Sequence, residues 1–300
     1  MRALLVHNPT SGDGEPTAEA LLAAIERAGF TPTYCSSRAD ELDEALSASA
    51  DIILIAGGDG TVARLARRLP DRSVPISILP IGTANNIARC LGIESRDAEA
   101  LVAGLAEASM KRLDIGRAVG PWGITRFIEG VGFGALAKAI DADGPKPPLP
   151  ERIEKGREGF ARALIETKPE RYVVAADGEE IDAECVFVEV LNIGMTGPRV
   201  MIGPSARPGD QLLDVVYLTA DRMNEMLDWL KAPDHRPPPV EVRKAREVTM
   251  TWESGRLRID DEVFAEPATP CAITIGLEPE GLRVRVPDIP ELSQKRAAAG

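Results

Sequence analysis

Gly57-Gly58-Asp59-Gly60-Thr61 is the part of this 300-residue chain whose residue types and spacing most plainly suggest chemistry. It closes the apolar run Ile52 to Ala56 and leads at once into the helical pattern of Val62 to Leu69. A short apolar run ended by glycines reads as a buried parallel strand. Glycines let backbone approach a bulky anion, and the following helix points its free N–H groups and positive end back at the loop. That arrangement is a phosphate cradle. Asp59, set among glycines with no packing role in view, suits a Mg²⁺ bound beside a nucleotide phosphate. The plainer alternative is a tight strand-to-helix turn with an exposed Asp.

Two further stretches repeat the pattern. Ala3 to Val6 is a first apolar run, ending in the loop His7-Asn8-Pro9-Thr10-Ser11-Gly12-Asp13-Gly14 before a helix from Pro16 to Ala28 with Leu21, Leu22 and Ile25 on one face and Gly29 as its cap. Ile76 to Leu79 ends in Pro80-Ile81-Gly82-Thr83-Ala84-Asn85-Asn86 before a helix from Ile87 to Leu91. A short strand at Thr33 to Cys35 and a helix at Ala39 to Leu46 complete the series. Strands that end in Gly/Asn/Thr loops and alternate with helices imply a parallel sheet with a ligand at the C-terminal edge of its strands.

After about Asp114 the pattern becomes strand-rich: Arg126 to Val131, Tyr172 to Ala176, Val186 to Leu191, Leu212 to Leu218, Val240 to Thr251, Leu257 to Ile259, Ala272 to Leu277 and Leu282 to Val286. β-branched runs bounded by Gly, Pro and Asp predict a largely antiparallel second domain. Helices are expected at Gly134 to Ile140, Arg152 to Thr167 and Arg222 to Leu230. Asp141 to Pro150 and Ala232 to Pro239 read as proline-rich loops. The expected division is an α/β nucleotide-binding domain over 1–116, a β-sandwich over 117–290 whose last segment can pack back on the first, and a tail over 291–300.

Hydrophobic residues make up 44% of the chain, enough for sizeable cores. A net charge of −12 and only 4% aromatic residues disfavour nucleic acid as a partner. Cys35, Cys90, Cys185 and Cys271 are widely spaced, which suits reduced thiols. No stretch approaches the ~18 apolar residues of a membrane span. A soluble, cytoplasmic protein is expected. Two histidines, His7 and His235, are too few for a histidine-based triad or zinc site, and His7 reads as a packed strand end. Arg64, Arg67 and Arg68 share a helical face that could meet phosphate or a lipid head group, or simply be solvated; Lys155 and Arg157 pose the same choice. Trp122, Trp229 and Trp252 fit a core or a cleft lining.

Asn8-Pro9-Thr10-Ser11-Gly12, Gly57-Gly58-Asp59-Gly60-Thr61 and Leu79-Pro80-Ile81-Gly82-Thr83-Ala84-Asn85, in that order, closely resemble the diacylglycerol kinase catalytic-domain family, which includes bacterial lipid kinases and sphingosine and ceramide kinases. Gly130-Val131-Gly132-Phe133-Gly134, Pro204-Ser205-Ala206 with Asp210 and Leu213-Asp214, and Ile259-Asp260-Asp261-Glu262 extend the resemblance along the chain. The resemblance implies ATP phosphates on Asn8 to Gly12, Gly58 to Thr61 and Thr83, and Mg²⁺ near Asp59. It implies a lipid acceptor of the diacylglycerol or sphingoid kind, taken up at the inner face of the membrane. Glu262 is the candidate general base, with Asp260 beside it as metal or water holder; a solvated hairpin turn is the alternative for that segment. A structural Mg²⁺ is implied at Asp210 with the carbonyls of Arg207 and Leu212, and a homodimer is an open assembly.

Several positions depart from the family pattern. Ala63 and Arg64 stand in place of Asn-Glu, Asn86 in place of Asp, Asp261 and Gln211 in place of Gly, and the first loop carries Asp13 and Glu15. These changes fit a subfamily with another acceptor or a weakly active nucleotide or lipid binder. An NAD kinase-like enzyme is the enzymatic alternative, since such proteins share the Gly-Gly-Asp-Gly-Thr loop.

Overall fold

The computed structural model describes residues 1–140, 149–233 and 236–289. The expected loop at Asp141 to Pro150 falls mostly outside these residues, as do His235 and the tail over 291–300. The chain forms two units. One spans Met1–Leu113 and takes in the described residues from Glu280 on; the other spans Asp114–Pro279.

In chain order the first unit contains β1 (Arg2–His7), α1 (Ala18–Arg27), β2 (Thr31–Ser36), α2 (Leu42–Ser47), β3 (Ile52–Gly57), α3 (Asp59–Arg68), β4 (Ile76–Pro80), α4 (Asn86–Cys90), α5 (Ala98–Ala103) and β5 (Ser109–Leu113). Its sheet runs β2-β1-β3-β4, all parallel, and then the strand Leu282–Val286, which pairs parallel with β4 and antiparallel with β5. The C-terminal segment thus completes the first unit's sheet. β3 is buried along its whole length, as a central parallel strand covered on both faces must be. α1 buries Leu21, Ala24 and Ile25, at i, i+3 and i+4, whereas Leu22 points off that stripe and is only partly covered. Thr17 caps α1 through its side chain, so the helix starts two residues after Pro16.

The second unit contains β6 (Gly116–Gly120), β7 (Gly123–Phe127), β8 (Gly130–Gly134), α6 (Ala135–Ala139), α7 (Leu149–Glu166), β9 (Glu170–Arg171), β10 (Val173–Ala176), β11 (Glu179–Ile181), β12 (Glu184–Leu191), β13 (Met195–Thr196), β14 (Val200–Met201), β15 (Leu213–Thr219), α8 (Met223–Trp229), β16 (Glu241–Ala245), β17 (Val248–Trp252), β18 (Leu257–Ile259), β19 (Glu262–Phe264) and β20 (Cys271–Leu277); Leu282–Val286 is β21. Two antiparallel sheets, β11-β10-β17-β20-β6-β7 and β16-β15-β12-β8-β18-β19, enclose a core that includes Phe127, Phe133, Val190, Val215, Met250, Trp252 and Ile273. On the other face of the second sheet, Phe187, Val216 and Leu218 pack with Leu136, Phe160, Met226 and Trp229 of the helices. Val240 to Thr251 is two strands, not one: β16 pairs with β15 in one sheet and β17 with β10 and β20 in the other. Trp229 and Trp252 are core residues, and Trp122 packs edge-on against Trp252.

Candidate active site

Three loops at the C-terminal ends of β1, β3 and β4 are tied together by their own polar groups. The Asn8 N–H donates to the Ala56 carbonyl at 2.9 Å, and its side-chain amide donates to the Thr61 hydroxyl at 3.1 Å. The Asn8 side-chain oxygen (Oδ1) accepts from the Thr10 N–H and hydroxyl, at 3.3 and 3.0 Å. Pro9 and Thr10 make the turn, Ser11–Gly14 form one turn of 3₁₀ helix, and Arg38 donates to the Thr10 hydroxyl at 2.8 Å.

Gly57 ends β3, Gly58 is the extended residue before α3, and Asp59, Gly60 and Thr61 are its first turn. The second loop touches the third backbone to backbone. A Cβ on Gly58 would stand 3.1 Å from the Gly82 Cα, and one on Gly82 would stand 2.8 Å from the Asn85 side-chain oxygen. Only glycine permits that approach. Gly12, at φ +65, lies equally close to the third loop, where a Cβ would be 2.8 Å from the Ile81 carbonyl.

Asn85, buried at φ +56, organises the third loop from within. Its side-chain oxygen accepts the Gly82 N–H at 3.0 Å, and its amide donates to the Pro80 and Gly82 carbonyls, both at 3.0 Å. Arg96 clamps the outside by donating to the carbonyls of Gly82 and Thr83, at 3.0 and 2.8 Å. The result is a glycine-lined wall at the N-terminus of α3, an environment suited to a chain of phosphates.

Asp59 has a structural partner that the sequence did not reveal. Its carboxylate accepts the Ile87 N–H at 2.9 Å, with the N–H groups of Asn85 and Asn86 also directed at it, so it caps α4. Burial pushes its carboxyl above the usual range, and these N–H groups pull it back only in part. The expectation that Asp59 lacks a packing role is therefore corrected. The basic residues of α3 are likewise engaged: Arg64 donates to the Ser37 carbonyl at 2.8 Å, Arg67 to the Ala63 carbonyl at 3.2 Å, and Arg68 pairs with Asp43 at 2.6 Å. Ala63 is buried, and Asn86 is the buried first residue of α4. Lys155 pairs with Glu151, and Arg157 donates to the carbonyls of Pro198 and Arg199. His7 is buried, with no hydrogen-bond partner at either ring nitrogen among the described residues, and burial lowers its pKa.

In the second unit Asp260 and Glu262 share the hairpin between β18 and β19 and have different surroundings. Asp260, at φ +53, is buried, and its carboxylate accepts N–H groups from Ile128 at 3.1 Å, Glu129 at 2.8 Å and Gly130 at 3.3 Å. Those bonds explain why the expected strand Arg126 to Val131 breaks into β7 and β8. Asp260 thus staples the backbone over 128–130. Glu262 pairs with Ile259 across the hairpin, and it and Asp261 are exposed, in contrast to Asp260.

Next to this hairpin, β18 also carries one partner of a buried ion pair that residue spacing alone does not suggest. Arg258 and Glu189 are buried, with Nε–Oε2 at 2.9 Å and Nη2–Oε2 at 2.6 Å. Both stand opposite Gly132 on the strand between them, and a side chain on Gly132 would overlap the Glu189 carboxylate.

The loop expected to hold a structural Mg²⁺ is closed differently. The Asp210 carboxylate accepts the Leu212 N–H at 3.0 Å and a bond from Lys244 at 3.2 Å, and the Arg207 carbonyl accepts the Asp210 N–H at 3.3 Å. Asp214, buried, accepts from Lys244 at 2.9 Å and from the Ser205 hydroxyl. Gln211, at φ +60 where the family carries Gly, donates its N–H to Asp114 at 2.8 Å. The metal set Arg207, Asp210 and Leu212 does not fit a divalent ion, because an ammonium already occupies its carboxylate. Asp59 is similarly committed to α4, and no group of three His, Cys, Asp or Glu able to hold a metal occurs among the described residues.

Comparison with known proteins agrees with this architecture. Residues 2–118 match the diacylglycerol kinase catalytic domain, and residues 156–286 match the YegS C-terminal NAD kinase beta sandwich-like domain. A diacylglycerol kinase of Staphylococcus saprophyticus is 30% identical over 282 residues, covering 87% of this chain and 88% of that protein. The chain belongs to the diacylglycerol kinase family of lipid kinases. Its fold is that of a diacylglycerol kinase crystal structure from Bacillus anthracis str. Sterne (TM-score 0.73, 20% identity, covering 97% of this chain and 98% of that one). It also matches an NAD kinase from Archaeoglobus fulgidus in complex with ATP (TM-score 0.56, 17% identity, full coverage of both chains). No helix among the described residues is long and apolar enough to cross a membrane.

Proposed function

We propose that this protein transfers the γ-phosphate of ATP to the hydroxyl of a membrane lipid of the diacylglycerol or sphingoid class. The observation that carries this reading is the cross-tied wall of Asn8–Gly12, Gly57–Thr61 and Gly82–Asn85, whose backbone closes to glycine-on-glycine contact at Gly58 and Gly82. Phosphoryl transfer needs positioning and neutralisation of spread charge more than covalent chemistry. Backbone N–H groups at the start of α3 and in the first loop supply both without moving, because Asn8, Asn85, Asp59 and Arg96 fix the loops from behind. Magnesium belongs with the nucleotide's own phosphate oxygens, its usual partners. Glu262, exposed on a hairpin that Asp260 staples, takes the acceptor's proton as the oxygen attacks.

The test is transfer of labelled γ-phosphate from ATP into a total lipid extract, with NAD in a parallel reaction. A labelled lipid supports the reading and names the acceptor class. Label in NADP moves the assignment to a dinucleotide kinase, and ATP binding with no transfer to either moves it to a nucleotide-binding relative without turnover.

A further inference from the structure

We propose that the ammonium group of Lys244 is the resident cation of the loop over 204–214, so that the second unit closes this loop without a divalent ion. The placement follows from strand register. Lys244 on β16 stands directly opposite Asp214 on β15, which puts the two side chains on one face of the sheet.

Three oxygens surround the Lys244 nitrogen: Asp214 Oδ1 at 2.9 Å, the Ser205 carbonyl at 3.1 Å and Asp210 Oδ2 at 3.2 Å. An ammonium has three donors, and here each has an acceptor. Asp214 is 1% exposed, and a carboxylate so buried requires a cationic or hydrogen-bonded partner. Lys244 supplies the cation and the Ser205 hydroxyl a further bond.

The same geometry works against Mg²⁺. That ion needs oxygens at about 2.0–2.1 Å in octahedral order, and it would sit beside a fixed positive charge. The remaining closure of the loop is also internal, through the Gln211 N–H on Asp114 and the Leu212 N–H on Asp210. All these residues belong to one unit, so the inference does not depend on the kinase assignment.

The experiment is thermal unfolding of nucleotide-free full-length protein in chelator, in millimolar Mg²⁺ and in millimolar Ca²⁺. Wild type, Lys244→Met and Asp210→Asn are compared. Wild type should melt within about 1 °C in all three solutions, and Lys244→Met should melt lower by about 3 °C or more in chelator. Added Mg²⁺ or Ca²⁺ should narrow that gap, since two carboxylates and a carbonyl then face an open position. If Lys244→Met does not fold, the metal response of wild type decides alone. A saturable rise in wild-type melting with Mg²⁺ that Asp210→Asn removes overturns the proposal, as does Lys244→Met melting like wild type.

Discussion

The Asp59 carboxylate accepts the Ile87 N–H at 2.9 Å, and this single bond joins the start of α3 to the start of α4. Asp59, in the first turn of α3, is thereby the cap that holds the third loop against the second. Asp59→Ala leaves the first N–H groups of α4 without their acceptor and should cost about 1–2 kcal/mol of stability in denaturant unfolding. Asp59→Asn keeps an oxygen in place and should lose much less. Equal stability of Asp59→Ala and wild type would contradict the capping role.

Glu189 and Arg258 form a buried pair across Gly132, so removing one partner strands the other charge. Arg258→Met should destabilise the protein by about 3–5 kcal/mol, whereas the double change Glu189→Leu with Arg258→Met should recover most of that loss. Gly132→Ala should be damaging too, because its methyl group would enter the space of the Glu189 carboxylate. A Gly132→Ala protein as stable as wild type would show that the pair does not depend on that space.

His7 gives a pH dependence of known sign. Burial lowers its pKa below the ordinary 6.5, so between that value and the lower native one the unfolded chain binds more protons than the folded protein. Stability should therefore fall as pH drops from about 7 towards 5, with a slope of at most about 1.4 kcal/mol per pH unit. His7→Leu should flatten this segment of the curve. An unchanged slope in His7→Leu would assign the effect to other groups.

Glu262 is exposed on its hairpin, so Glu262→Gln should leave the melting temperature nearly unchanged. If it accepts the lipid's proton, the same change should lower phosphate transfer by about 100-fold or more. Wild-type turnover in Glu262→Gln would remove it from the mechanism.

The three-loop, glycine-lined wall was legible in the sequence because its logic is local. Glycines that must approach backbone, an Asn in the left-handed region and a helix start each leave a mark in residue type. What ties the pieces together was not legible. Asp59 looked free because its partner, Ile87, is a backbone N–H 28 residues away. Asp260 read as a metal or water holder, or as part of a solvated turn, and nothing in the sequence pointed to its three N–H partners over 128–130. Lys244 faces Asp214 only in the register that the two strands adopt, and a slip of one residue would turn it to the other face. The run Val240 to Thr251 read as one strand because composition does not mark where a chain leaves one sheet for the other.

The most direct measurement is calorimetric titration of MgATP into wild type and into Gly82→Ala, a change that puts a methyl group against Asn85 and the Gly58 backbone. The three-loop wall predicts saturable binding by wild type and at least about 10-fold weaker binding by the variant, or about 1.4 kcal/mol. Equal affinity in the two folded proteins, or no binding by wild type, would contradict the assignment of this wall to the nucleotide's phosphates.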